Sequence, residues 1–268
     1  MTIKKPLVSI IITTKNESKN IGYLLKSFTK QNYSNFEIIV VDNYSTDDTV
    51  NIAQRFTNKI YLQGPERSNQ RNFGAQKAKG KYLLFLDADM ELTFDIILEC
   101  VSTINKQKAA AIIIPEDVKG NTFYQRVKRL EKRMYWKEPD IEAARFFKKS
   151  VFKKINGYNE SLIAGEDWDI SLRAKKIGKI VRINSILYHQ SNSFIKNLKS
   201  KVYYSRHILK YARVYPDIFT KQSGINRSNI LLKNAKYLTE QPIEYIGLLI
   251  SKMIEFITYQ LMSLLNKL

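Results

Sequence analysis

Gly80-Lys81-Tyr82-Leu83-Leu84-Phe85-Leu86-Asp87-Ala88-Asp89-Met90 runs from a glycine through an apolar block into two carboxylates one residue apart. An apolar run of this length, entered from a glycine, reads as a buried strand. Side chains alternate along a strand, which predicts that Asp87 and Asp89 point the same way. Two carboxylates on one side at a strand's C-terminal end suit a divalent cation, and open α/β sheets bind ligands at that edge. A polar turn after a strand has the same letters, so the motif needs the rest of the chain.

Working outward, Leu7 to Thr13 and Phe36 to Val41 are further apolar runs, rich in β-branched residues, and each ends in polar residues. Such runs are typical of parallel strands buried on both faces. Helical spacing of Ile21, Leu24, Leu25 and Phe28 lies between them. Ser45-Thr46-Asp47-Asp48 has the S-x-x-D form of a capping box opening the next helix. Lys59 to Leu62 reads as a short strand, and Ser68 to Ala78 as a helix between Gly64-Pro65 and Gly80. Strands alternating with helices predict an α/β fold with a mostly parallel sheet flanked by helices. Further elements are expected at Phe94 to Ile104 (helix), Ala110 to Ile114 (strand) and Arg145 to Lys149 (edge strand). A helix from Glu166 to Ile177 and short strands at Lys179 to Ile183 and Ile186 to His189 complete this part.

The chain has 268 residues, 44% of them hydrophobic, enough for one large domain or a domain with an appendage. A formal charge of +19 calls for an acidic partner: nucleic acid, an anionic membrane surface or phosphorylated small molecules. One cysteine, Cys100, excludes an internal disulfide framework and fits a reducing compartment. Lys4 and Lys5 before a short apolar run resemble a signal peptide only superficially, and no run of 18 uncharged apolar residues predicts a spanning helix.

Four blocks together resemble the family 2 glycosyltransferases. They are Val8 to Glu17, Ile39 to Thr49, Arg71-Asn72-Phe73-Gly74 through Asp87-Ala88-Asp89, and Asn156 to Glu160 with Gly165-Glu166-Asp167-Trp168-Asp169. The resemblance covers roughly residues 6 to 190 and implies a GT-A (Rossmann-like) fold and an inverting, metal-dependent sugar transfer from a nucleotide-diphosphate donor, a UDP-sugar being favoured. It implies that Thr13 and Glu17 contact the donor nucleoside and that Asp42 and Asn43 hold base and ribose. Many relatives carry two acids there, so Asn43 departs from the pattern, although an amide can still bond a uracil edge. Arg71 would neutralise diphosphate charge, Asp87 would face the ribose or the metal, and Asp89 would ligate Mn²⁺ or Mg²⁺. Asp167 would be the catalytic base, with Glu166 and Trp168 on the acceptor side.

The chemistry explains these residue types. Mg²⁺ and Mn²⁺ take oxygen ligands and keep phosphates and waters, so one or two carboxylates suffice. A carboxylate opposite the leaving group can take the acceptor hydroxyl's proton. Each residue also has a structural alternative. Glu166 and Asp167 open a helix, where acids are favoured by the dipole. Asp169 and Arg173 sit at i, i+4 and read as an ion pair. Trp168 reads as core or as an acceptor platform. His189 reads as a third metal ligand, a diphosphate contact or a packed neutral histidine. Arg71 reads as a donor contact or as a cap or pair on its own helix.

After Pro115, Phe123, Val127, Leu130 and Met134 form one helical stripe, while Arg126, Arg129, Arg133 and Lys137 lie on another face. This basic amphipathic helix is expected at a membrane surface or at an acceptor phosphate, or as a solvated surface helix. Residues 191–268 form a basic, helical extension whose last part, Ile243 to Leu268, is apolar over a wide arc. Lys252 and Glu255 argue against spanning and leave an in-plane membrane helix or a homodimer contact. The domains expected are thus 1–190, catalytic, and 191–268, for association. The partners expected are a nucleotide-sugar, a lipid-linked or saccharide acceptor and the cytoplasmic face of a membrane, with no nucleic acid. Other classes fit parts of the sequence, among them a non-catalytic sugar-nucleotide binder, against which Asp87, Asp89 and Asp167 together argue. A sugar-phosphate nucleotidyltransferase usually carries a Gly-rich loop after the first strand, where this chain has Thr13-Thr14-Lys15-Asn16-Glu17-Ser18. A nucleic-acid-binding protein would explain the charge, but no such module is visible.

Overall fold

In this computed structural model the described residues are 5–136, 138, 141–190 and 194–265. Lys4, Lys137 and Ser191 lie outside them. In chain order the elements are β1 (Val8–Thr14), α1 (Ile21–Phe28), β2 (Phe36–Asp42), α2 (Thr49–Gln54), β3 (Ile60–Leu62), α3 (Arg67–Lys77), β4 (Tyr82–Asp87) and β5 (Met90–Leu92). Then come α4 (Ile96–Lys106), β6 (Ala111–Ile113), β7 (Glu116–Lys119), α5 (Phe123–Met134), β8 (Ala144–Lys148), α6 (Lys149–Lys154), α7 (Glu166–Lys175), β9 (Ile180–Arg182) and β10 (Leu187–Gln190). Helices α8 (Phe194–Val214), α9 (Pro216–Gln222), α10 (Gly224–Lys233), α11 (Tyr237–Glu240) and α12 (Pro242–Leu265) follow.

β1 is buried at every position because it has a parallel neighbour on each side, β2 and β4, and a layer over each face. Period-two alternation sends Ile10, Ile12, Leu84 and Leu86 into one core and Ile11, Leu83 and Phe85 into the other. The seven strands run β3-β2-β1-β4-β8-β6-β9. The β1, β2, β3 and β4 pairings and β6–β9 are parallel, while β8 runs antiparallel to both β4 and β6. β8 is therefore an interior strand and not the expected edge. Phe146 and Phe147 are fully buried on opposite faces and anchor it between β4 and β6.

Two local expectations also change. Ser45 does not cap a helix: its hydroxyl and N–H go to Asp42, and α2 begins only at Thr49, after Asp48, with no side-chain cap. A capping box does form at α5, where Thr122 and Gln125 exchange side-chain and backbone bonds. β4 also stops at Asp87, so Asp89 lies in a turn leading into β5, and the strand period that would align the two carboxylates ends between them.

The chain forms two compact units. One takes in the chain up to Glu116, Ala143–Ser161 and Glu166–His189, and holds the seven-stranded sheet. The other takes in Asp117–Glu142, Leu162–Gly165 and the chain from Gln190 onward. The expected 1–190 domain thus cedes two internal segments to the helical unit. In that unit Val127, Leu130 and Met134 are buried with Ile230, Leu231, Tyr245 and Leu248. Three of the four residues of the α5 stripe, Val127, Leu130 and Met134, thus form a packing face and do not meet a membrane, while Phe123 stays 47% exposed. Gly247 permits this approach, since a Cβ there would lie 2.5 Å from the Phe123 ring.

Candidate functional site

The site lies in the sheet-bearing unit, at the C-terminal ends of β1, β2 and β4. Two loops there are stitched to each other. The Asn16, Glu17 and Ser18 N–H groups donate to Ser45, Thr49 and Asp47 side chains at 2.7, 2.8 and 3.1 Å. Asp42, fully buried, accepts from Thr14 Oγ1 (2.6 Å), Ser45 N–H (2.7 Å) and Ser45 Oγ (2.6 Å). Asn43 donates its side-chain amide to the Pro65 carbonyl. These two residues, expected to hold a base and ribose, are occupied in shaping the loops. The Glu17 carboxylate accepts from Asn20 at 2.6 Å, and Thr13 Oγ1 donates weakly to Asp87 at 3.5 Å.

Arg71 is the centre of the site. Gln70 on α3 donates to the Thr14 carbonyl (3.1 Å) and the Val41 carbonyl (2.7 Å), pinning the helix to the ends of β1 and β2. Asn72 pairs with the Tyr158 backbone at 2.9 and 2.8 Å, which brings the Tyr158 ring 5.0 Å from the Arg71 guanidinium. Gly157 at φ +65 makes the turn that permits this. Arg71 Nη1 then donates to Asp167 Oδ1 at 2.8 Å and reaches Glu166 at 3.5 Å, while Nη2 donates to Asp87 Oδ1 at 2.9 Å. The guanidinium was expected to face the donor's phosphates. It is instead wholly buried, and its terminal nitrogens are turned to carboxylates.

The exposure gradient matters chemically. The Arg71 side chain is 0% exposed, whereas Asp87 keeps 20% and Asp167 27%. A buried cation thus holds two carboxylates at the mouth. Burial alone would push the Asp87 carboxyl up, but Arg71, Arg145 and Arg67 more than offset it and hold Asp87 well below the usual range. Glu166 moves the other way: burial, then the Asp167 charge, raises it despite Arg67 and Arg71. Glu166 is buried and bonded to Arg67 at 3.0 Å. Trp168 is half-buried on α7, and the Asp169–Arg173 ion pair forms as expected at 2.5 Å.

A second arm of the network reaches Asp89. Arg145 Nη1 lies 3.4 Å from Asp87 Oδ2, and its Nε donates to Glu116 Oε1 at 2.5 Å. Glu116 Oε2 is 2.9 Å from His189 Nε2, and His189 Nδ1 is 3.7 Å from Asp89 Oδ1. β10 places His189 there by pairing it with Met90 of β5. Asp167, Arg71, Asp87, Arg145, Glu116, His189 and Asp89 therefore form one chain of contacts. Asp87, expected to ligate a metal, is committed to two guanidiniums. Among the described residues no three His, Cys, Asp or Glu side chains form a metal-holding group. Asp89 with His189 is a two-residue oxygen and nitrogen set, which fits a divalent cation completed by phosphate and water oxygens.

Sequence reading missed Glu116, Arg145, Tyr158 and Gln70. The arginines of α5 lie in the helical unit and have local partners. Arg126 donates to Glu244 at 2.7 Å, Arg129 to the Val118 carbonyl at 3.1 Å, and Arg133 makes a forked pair with buried Asp117 at 3.0 and 2.9 Å.

Residues 9–159 match the family described as glycosyl transferase family 2. The chain belongs to that family. It is 31% identical over 117 residues to the poly(ribitol-phosphate) beta-N-acetylglucosaminyltransferase TarS of Staphylococcus aureus, a match covering 40% of this chain and 20% of that protein. It is 28% identical over 217 residues to chondroitin synthase of Escherichia coli, covering 74% of this chain and 31% of that one. The chain thus spans about a fifth to a third of these curated relatives. Among solved structures, the mannosyltransferase PcManGT from Pyrobaculum calidifontis, in complex with GDP-Man and Mn²⁺, aligns with a TM-score of 0.66 at 15% identity, covering 98% of this chain and 88% of that one. TarS 1-349 with UDP-GlcNAc aligns at 0.51 and 18% identity, covering 86% and 71%. The fold of this family 2 glycosyltransferase is GT-A, with a helical C-terminal region.

Proposed function

We propose that the chain transfers a sugar, with inversion, from a nucleotide-diphosphate donor to an acceptor hydroxyl, Asp167 taking the hydroxyl proton. The observation that carries this is the shared guanidinium: Asp167 and Asp87 lie 2.8 and 2.9 Å from the same Arg71, so the base and the D-x-D turn serve one cleft. Arg71 aims Asp167 and leaves 27% of its side chain exposed for an acceptor. Thr13, Glu17, Asp42 and Asn43 supply the loop walls for the nucleoside, with a UDP-sugar the favoured donor. Asp89 and His189 hold the divalent cation, Mn²⁺ or Mg²⁺, and Glu116 orients His189 by bonding its other ring nitrogen. When bound, the cation supplies charge compensation for the departing diphosphate. Glu166 and Trp168 flank the acceptor side, and the acceptor expected there is lipid-linked or a saccharide. The Mn²⁺ and nucleotide-sugar complexes of the structural relatives support the donor and metal classes.

The test is a donor panel with Mn²⁺ or Mg²⁺, following nucleotide release and product. Asp89→Ala is expected to weaken metal and donor binding together, and Asp167→Asn to keep donor binding while losing transfer. Transfer by Asp167→Asn at the wild-type rate would remove the base from this mechanism.

A further inference from the structure

Helix α12 is built inside out. Its charged residues Glu244, Lys252 and Glu255 keep only 16%, 20% and 19% of their side-chain surface, each in an ion pair within the helical unit. Its outer face is apolar: Ile243, Met253 and Phe256 keep 66%, 57% and 63%. Ile246, Leu249, Ile250 and Ile257 are exposed too, giving an uncharged stripe at helical spacing over four turns. A water-facing helix in a globular unit has the opposite polarity, so this stripe is made for an apolar medium. Part of it opens into an apolar cleft of about 460 Å³, lined by Phe123, Tyr124 and Phe194 beside Ile243, Ile246 and Ile250.

The occupant is indicated by charge. Helix α8, packed on α12, carries Lys196, Lys199, Lys201, Arg206, Lys210 and Arg213 and no carboxylate. Lys199, Arg206, Lys210 and Arg213 recur at helical spacing on one exposed face, with Ile195 and Leu209 exposed beside them. A second copy of the chain would bring the same excess of cations against itself across a two-fold contact. An anionic bilayer would attract it. Among the described residues no helix is long and apolar enough to cross a membrane, so the stripe would lie in the plane of the interface. We propose that the outer face of α12 docks into the headgroup–acyl boundary of an anionic bilayer, with the α8 cations on the lipid phosphates. This assigns the membrane contact to α12 and α8, not to α5, and it stands independently of the sugar-transfer reading.

The experiment uses the full chain with an environment-sensitive fluorophore on Phe256→Cys, and on Lys106→Cys in α4 as control; the native Cys100 is buried. Vesicles are phosphatidylcholine alone or with phosphatidylglycerol. The expected result is a blue shift at position 256 with anionic vesicles only, no shift at 106, and co-flotation that falls as salt rises. Met253→Glu with Phe256→Glu is expected to lower the vesicle-bound fraction about tenfold with an unchanged circular dichroism spectrum. Arg206→Glu with Lys210→Glu should weaken binding to anionic vesicles. An unshifted probe with anionic vesicles overturns the proposal. So does a lipid-free dimer, seen by ultracentrifugation, that the Met253/Phe256 variant dissolves. Because the readout is lipid binding, failure here leaves donor turnover untouched, and failure of donor turnover leaves this result standing.

Discussion

In the sheet-bearing unit one guanidinium, Arg71, sits among the carboxylates of Asp87, Glu166 and Asp167. In the helical unit one carboxylate, Glu131, is paired with Lys128 and Lys252 and lies in the field of Lys201. The clusters are inverses in sign and they do different things. Arg71 gathers acids from the end of β4 and the start of α7 and leaves two of them in touch with water. Glu131 ties α5 to α12, Lys201 of α8 joins through Glu255, and the ions are turned inward. The first cluster leaves carboxylates open to water at the sheet edge, where the proposed transfer needs a cation and a base. The second uses its ions to hold α5, α8 and α12 together, and the outer face of α12 is left apolar.

Five substitutions would break or sharpen this contrast. Asp167→Asn is expected to lower transfer about 10²–10⁴-fold with donor affinity kept, read by product formation beside nucleotide titration. Arg71→Met leaves several carboxylates without their cation and is expected to cost about 3–5 kcal/mol in urea unfolding. Arg71→Lys should recover little, because one ammonium cannot fork between Asp167 and Asp87. Glu116→Gln should weaken Mn²⁺ binding about 10–100-fold, measured by electron paramagnetic resonance with nucleotide present, while unfolding midpoints stay put.

The smallest effect belongs to the helical unit. Burial, then Lys128 and Lys252, brings the Lys201 amine down to about 8. Between that value and the ordinary lysine value of about 10.4 the unfolded chain binds more protons than the folded one, so stability rises with pH across the window. The gain is about 1 kcal/mol or less, discounted because the side chain keeps 39% of its surface in water. Lys201→Met should flatten this rise in urea midpoints taken between pH 7.5 and 10. A variant with the wild-type slope would show that Lys201 does not couple to the cluster.

Much of the sheet was legible because buried parallel strands are written in apolar, β-branched residues, as in β1, β2 and β4. β8 was legible as a strand but not as an interior one, since its place depends on β4 and β6, which are remote in sequence. Ser45 looked like a helix cap because capping is a local pattern, but the partner that claimed it, Asp42, belongs to the strand before the turn. At the site, Asp87, Asp89, Asp167 and His189 were named from the motifs and the family likeness. Arg145 and Glu116 were not, for their contacts span 58 residues to Asp87 and 73 to His189, and neither sits in a recognisable pattern. The direction of α12's polarity was equally hidden. A wide apolar arc is visible in the letters, but which side faces the bundle is decided by Glu131 and Arg126 on another helix.

The place of β8 has a consequence for how the protein is made. β1, β2, β3 and β4 can pair as soon as they leave the ribosome, and Arg71 can meet Asp87 while Asp167 is still untranslated. β6 has no sheet neighbour until β8 arrives, and with it comes Arg145, the second cation on Asp87. Assembly in two instalments is therefore expected. Pulse-labelled hydrogen exchange during refolding should protect β1 and β4 amides before those of β6, and simultaneous protection would show that the sheet closes in one step.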